Sequence, residues 1–247
     1  MFKTILYQPI FNLFVFLYNI LPGHDVGAVI LVITILVRLA LYPLTGSSIK
    51  SQRALQELQP KMEAVKKQFA DDKQKQTQAI MELYKTNKVN PITSCLPMLI
   101  QLPILIALYS VLRDGLASKN LASSLYPFIS NPGTINQISL HIFNMAQPNY
   151  ILAVLAGAAQ YLQAKTLSRK NPPANAGEGS KDEAMMTMMN KQMLYFMPIM
   201  TIIIGLRLPA GLTLYWFFGT LLMALQQMVL FKKPIASGKI IEGEIVK

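Results

Sequence analysis

The sequence predicts an all-α integral membrane protein: a five-span helical core, a cytosolic helical hairpin and an N-terminal interfacial helix. Three observations predict it. Of 247 residues, 52% are hydrophobic and only 14% are charged, where a soluble domain carries about 25% charged residues. The apolar residues form five long runs, at 26–45, 91–112, 149–166, 193–208 and 210–231, each near the length of about 20 residues that a helix needs to cross a bilayer. Of the 23 Lys and Arg, eighteen lie in 46–90, 165–192 and the tail, while Lys3, Arg113, Lys119 and Arg207 lie on the other side. The positive-inside rule then puts the first group in the cytosol, with the N-terminus outside and the C-terminus inside.

Residues 1–25 form the first element. Within them, ILYQPIFNLFVFLYNIL (5–21) is apolar, and Gln8, Asn12 and Asn19 fall within about 40° of one another at 100° per residue. One narrow polar stripe fits a helix lying in the interface. A sixth span or an uncleaved signal is the alternative, although no A-x-A-like cleavage site is present.

The first span, 26–45, holds Arg38 together with Thr34 and Thr45 on one face. No Asp or Glu occurs in any of the five runs to neutralise Arg38. The arginine either snorkels toward the cytosolic end near Thr45 or faces a water-filled recess that holds a positive potential for a visiting anionic group.

Residues 46–90 are polar and helix-prone. Leu55, Leu58, Met62, Val65 and Phe69 make one apolar stripe, and Ala79, Ile80, Leu83 and Tyr84 a second. With Ala70-Asp71-Asp72-Lys73 as the turn, this reads as an antiparallel hairpin, with a break or kink expected at Pro60.

The second span, 91–112, puts Ser94 and Gln101 on one face. An external loop, 113–148, leads to the third span, 149–166, where Asn149, Gln160 and Gln163 share a face. The cytosolic loop 167–192 is Pro-, Gly- and Lys-rich at 168–183 and reads as flexible. Seven of the fourteen methionines lie in 185–200, either as an adaptable apolar surface or as ordinary gap-filling. The fourth span, 193–208, and the fifth, 210–231, are separated only by Leu208-Pro209-Ala210-Gly211, so a tight helical hairpin is expected. Thr213, Trp216, Thr220 and Gln227 share one face of the fifth span. Polar stripes of this kind commonly bond packed helices to one another. The tail, 232–247, sets four lysines against Glu242 and Glu244. With one cysteine and two histidines, there is little basis for a disulfide, a metal cluster or a Ser–His–Asp arrangement. No cofactor and no enzymatic chemistry are expected.

The run LQELQPKMEAVKKQFADDKQKQTQAIMELYKTNKVNPITSCLPMLIQLPILIALYSVL (55–112) closely resembles the YidC-type membrane protein insertase family. So do the arginine-bearing span ending LALYPLT, the KQMLYFMPIM entry to the fourth span and PAGLTLYW in the fifth. The resemblance covers about residues 5–231 and implies the bacterial form without a large periplasmic domain, in the plasma (inner) membrane. It further implies a hydrophilic groove open to the cytosol and the lipid. The family's groove arginine falls on Arg38. Groove or substrate-contact positions fall on Thr34, on Trp216 or its neighbour Tyr215, and on a third-span glutamine, for which Gln160 and Gln163 compete. Ser94, Gln101 and Thr220 complete the candidate groove set.

The function implied is insertion of nascent membrane proteins from the cytosol into the bilayer. The partners implied are those nascent chains and membrane lipids. The Sec translocon, the ribosome and signal-recognition targeting machinery are further candidates, and sequence-specific nucleic-acid contact is not expected. The tail lacks the long basic character that members use on ribosomes. A small-anion transporter or channel using Arg38 is the alternative, but the sequence carries no internal repeat of the kind common in transporters.

Overall fold

The computed structural model describes residues 2–90, 92–117, 121, 124–140, 142–167 and 192–232. The readings for 168–191, including the methionines at 185–190, and for the tail beyond Lys232 lie outside the described residues.

The described chain is almost wholly helical. A π-helical turn (Lys3–Tyr7) runs into α1 (Gln8–Ile20), and a short 3-10 turn (Pro22–His24) leads to α2 (Val26–Ala40). Then come α3 (Tyr42–Gln68), α4 (Lys73–Thr86) and α5 (Ile92–Ala117). A two-stranded antiparallel hairpin, β1 (Ile138–Ser139) and β2 (Phe143–Asn144), interrupts the long loop before α6 (Tyr150–Leu167). A second π-helical turn (Gln192–Phe196) enters α7 (Met197–Gly205), and α8 (Ala210–Lys232) ends the described chain.

Two segments are long and apolar enough to cross a bilayer unaided, Leu99–Leu116 within α5 and Ala210–Phe231 within α8; the bent pair α2 and α3 makes a third. The fourth run is shorter than its sequence suggests. Helix stops at Gly205, and residues 206–208 turn into α8. Apolar side chains line the outside of the bundle, among them Leu39 on α2, Ile106 on α5, Val154 on α6, Ile203 on α7 and Val229 on α8. In water such a belt would be a large aggregation surface. In lipid it is the expected exterior, which makes this an all-α membrane protein.

The first run does not continue straight to Thr45. The axis bends by 65° between α2 and α3, with Leu41 at φ −86° and ψ −3° as the cap. Pro43 sits in the first turn of α3. It has no N–H to offer the carbonyl of Leu39 and restricts the residue before it. The break expected at Pro60 is absent: α3 runs through that proline to Gln68. There α4 packs along the residues that follow, with Gln76 Nε2 donating to Lys66 O at 3.0 Å and Tyr84 Oη to Met62 Sδ at 3.5 Å. Asp72 caps α4, accepting from the backbone N–H groups of Gln74 and Lys75. The backbone bond from Lys75 is the main cause of its lowered pKa.

The deepest core lies at the Asp25 end of α2. Phe11, Phe14 and Val15 of α1 pack with Val29, Ile30 and Ile33 of α2, Leu108 and Leu112 of α5, and Leu212 and Tyr215 of α8. The polar stripe of α1 has partners within the protein. Asn12 Nδ2 donates to Ser124 O (3.0 Å), Asn12 Oδ1 accepts from Tyr126 N (2.7 Å), and Asn19 Nδ2 donates to Ser130 O (2.7 Å). Asn12 and Asn19 therefore hold the long loop, where the sequence suggested headgroup contact. Gly211 lets α8 start deep in the core: a Cβ there would come within 2.9 Å of Ile30 Cδ1.

Candidate functional site

Arg38 is the anchor of the site. It lies in the last turn of α2, half-buried, and its guanidinium rests against α8. Its Nη1 donates to Met223 Sδ at 3.5 Å. A Cβ built on Gly219 would stand 2.9 Å from Nη2 and 3.3 Å from Nε. Gly219 is therefore the seat of the guanidinium, since any side chain would displace it. Arg38 Nε is buried without a hydrogen-bond partner. Among the described residues no carboxylate reaches Arg38. A thioether is a weak acceptor, so the charge is seated but poorly neutralised.

The face of α8 that meets Arg38 is Tyr215, Gly219, Met223 and Gln226, spaced four, four and three as one helical stripe. At its Asp25 end, Gln101 Nε2 of α5 donates to Tyr215 Oη at 2.7 Å, and Tyr215 is only 2% exposed. At its other end, Gln226 Nε2 donates to Tyr42 O at 3.1 Å, and Thr45 Oγ1 donates to Gln226 Oε1 at 3.0 Å. This one stripe thus ties together α2, the α2–α3 bend and α5.

The structure brings Arg38, Tyr215 and Gln101 onto or beside this stripe. Thr34 is fully buried and gives its hydroxyl to Ile30 O of its own helix at 2.6 Å, a helix-internal bond rather than a free group. Thr220 belongs to the neighbouring row with Thr213 and Gln227, all buried. That row faces other partners: Thr213 Oγ1 has Pro209 O at 3.3 Å and Gly205 O at 3.4 Å in reach, Thr166 Oγ1 of α6 has Gln163 O at 2.7 Å and Gln227 Oε1 at 3.0 Å, and Gln227 Nε2 is buried without a partner among the described residues. Trp216 is partly exposed, between the two rows. Gln160 and Gln163 are half-buried on α6, and neither side chain has a hydrogen-bond partner among the described residues. Ser94 lies in α5, with its side chain outside the described set. Asn149 caps α6 through its Oδ1, 3.1 Å from Leu152 N, and takes no part in the span.

Sequence reading missed Gly219, Met223 and Gln226. The signal was a glycine inside an otherwise apolar helix, four residues after a tyrosine, which marks a close approach.

The 60Kd inner membrane protein family matches residues 16–237. The chain belongs to this family. It is similar to the membrane protein insertase YidC of Fusobacterium nucleatum, 39% identical over 207 residues that cover 84% of this chain and 86% of that protein. It is 35% identical over 223 residues to the membrane protein insertase YidC of Shewanella halifaxensis, and 33% identical over 227 residues to that of Tolumonas auensis. Those matches cover 90% and 92% of this chain but 36% of each relative. The YidC-type resemblance read from 55–112 and its companions is thereby upheld, and family membership together with the apolar helices makes this a multi-pass membrane protein.

Proposed function

We propose that this protein is a membrane protein insertase and chaperone that moves nascent membrane proteins from the cytosol into the bilayer through a hydrophilic groove containing Arg38. The five spans are α2 with the first turn of α3, α5, α6, α7 with the π-helical turn before it, and α8. The N-terminus is outside, and the α3–α4 hairpin, the 167–192 loop and the tail face the cytosol. Support for the orientation is the eighteen-to-four division of basic residues. Support for the function is family membership and the relatives' printed names.

The single observation that carries the mechanism is a guanidinium on an apolar helix with a sulfur and a glycine for company. A charge at the centre of a membrane helix costs about 2.5–3.5 kcal/mol on insertion scales. Two opposite charges 4 Å apart gain about 4 kcal/mol at an effective dielectric of 20. The two are comparable, so an acidic tail arriving at Arg38 recovers the cost of leaving bulk water. It displaces only a thioether, so vacating the seat is cheap. The apolar helix that follows the tail then passes Trp216 into lipid, while Tyr215 and Gln101 hold the groove's inner end. Substrate class and partners follow from this reading: nascent chains and lipids first, with the Sec translocon and targeting machinery as candidates. The small-anion transporter reading gains nothing from the relatives, which are named insertases.

The test is insertion of an acidic-tailed substrate into vesicles. Arg38→Lys should retain most activity, Arg38→Ala should lose about tenfold, equal to about 1.4 kcal/mol of barrier, and Arg38→Glu should lose more. Photocrosslinkers at 38 and 216 should capture a stalled nascent chain, and one at lipid-facing Ile203 should not. Equal insertion by all four proteins would remove Arg38 from the mechanism.

A further inference from the structure

From Asn120 to Ala164 the chain carries no Asp, Glu, Lys or Arg. This uncharged stretch includes most of the loop between α5 and α6, and the loop displays large apolar side chains. Phe128 is 81% exposed, Leu140 68% and Ile142 76%. Leu140 and Ile142 lie on the three-residue connection between β1 and β2. In water this tip breaks two rules at once. Leu140 has φ +51°, a left-handed conformation that turns normally give to Gly, Asn or Asp. Its side chain also stays mostly uncovered.

The tip is fixed in place. Asp25 is the N-cap of α2, accepting from Ala28 N at 3.0 Å. The same carboxylate accepts from Ser139 Oγ at 2.5 Å and from Leu140 N at 2.6 Å. Gly27 has no Cβ, and one would collide with the Ser139 side chain, so the hairpin closes directly on the helix. Phe128 lies two residues before Ser130, whose carbonyl accepts from Asn19 near the end of α1. Asp25 marks the point where the chain enters an apolar helix, so the tip is held at that depth. An anchored projection that displays Leu140 and Ile142 on either side of His141 in the sequence, with no Lys, Arg, Asp or Glu, fits the headgroup–acyl boundary at the edge of the hydrocarbon. A water-soluble partner would be met by a polar, charged rim, which this loop lacks.

We propose that Leu140 and Ile142, together with Phe128 of the same loop, insert into the lipid leaflet at the Asp25 end of α2 and anchor this loop to the membrane. The inference rests on the membrane helices and not on the insertase reading.

The test uses nitroxide labels in the full chain with Cys95→Ser, which removes the one native cysteine. Single cysteines are placed at 128, 140 and 142, with exposed Thr134 as the aqueous reference. In vesicles of phosphatidylethanolamine and phosphatidylglycerol, the three labels should collide with oxygen several-fold more, relative to a water-soluble nickel chelate, than the label at 134. Nickel access equal to that at 134 would overturn the proposal by putting the tip in water. Loss of both collisions would overturn it by putting another protein surface there. Asp25→Ala in the 140 label should shift that ratio toward the aqueous reference; an unchanged ratio would overturn the anchoring role of Asp25. The assay reads depth alone, so failure of the insertase reading leaves its result intact.

Discussion

Arg38 and Gly219 touch across α2 and α8: the guanidinium occupies the volume that a side chain at 219 would fill, with Nη2 only 2.9 Å from an ideal Cβ. The atom in conflict is the far end of a flexible side chain, so a small residue should be accommodated by displacing Arg38. Gly219→Ala should therefore leave thermal stability in detergent nearly unchanged, or raise it, because alanine favours the helix by about 1 kcal/mol. Insertion of an acidic-tailed substrate should still fall. Gly219→Phe should fall as far as Arg38→Ala. Full insertion by Gly219→Phe would mean that the position of the guanidinium is irrelevant.

Much of the architecture was legible because hydropathy reports it directly. The apolar runs follow from periodicity, and the turn read at Ala70–Lys73 falls within one residue of the break observed between Gln68 and Lys73. Other parts were hidden for physical reasons. A helical wheel locates a stripe but not its partner. The Thr213–Thr220–Gln227 row was as polar as a groove should be, yet it is buried and lies within reach of α7 and α6 rather than of Arg38. The stripe that meets Arg38 contains a glycine and a methionine, whose polarity announces nothing. Pro43 sits at the start of α3, where the axis bends by 65°, and Pro60 lies inside a continuous α3; a proline in the sequence does not say which of the two it will do.

Asn12 makes a prediction about the α1 segment. Its side chain is 2% exposed and bonds Gln8 O, Ser124 O and Tyr126 N. Removing it takes partners from the Ser124 carbonyl and the Tyr126 N–H, both part-buried. Asn12→Ala should cost about 0.5–1.5 kcal/mol, read as a lower unfolding temperature and faster proteolytic nicking near 124–130. Asn12→Asp keeps the acceptor for Tyr126 N but buries a carboxylate against the Gln8 and Ser124 carbonyls, so it should be at least as destabilised as alanine. An Asn12→Ala protein as stable as wild type would show that the stripe meets headgroups after all.

Asp25 gives a pH dependence with a definite sign. Burial alone would raise its pKa, but hydrogen bonds from Ser139, Leu140, Ala28 and Gly27 outweigh burial and leave it below the ordinary 3.8. A lowered carboxylate pKa means that the folded state favours the charged form. Its stabilisation is complete above the ordinary value and disappears as pH falls through the lowered one. Hydrogen exchange at Leu140 N should thus show flat protection from neutral pH down to about 4, with added opening only below that. Asp25→Asn should show reduced protection above pH 4 and approach wild type below it. A protection profile that changes near pH 6 would point to another group.

Gln226 tests the bend. Thr45 has one hydroxyl hydrogen and three acceptors in reach, namely Leu41 O, Tyr42 O and Gln226 Oε1. It satisfies one at a time, so Gln226 Nε2 is the dedicated donor to Tyr42 O. Gln226→Ala removes that donor where Pro43 has already cost the helix one bond. A loss of about 0.5–1.5 kcal/mol is expected, with the Leu36–Met81 distance distribution broadened in spin-label measurements. Gln226→Glu sets a carboxylate against the Tyr42 carbonyl and should broaden it further. If both variants keep the wild-type distribution, Pro43 alone sets the 65° angle, and α8 merely lies alongside.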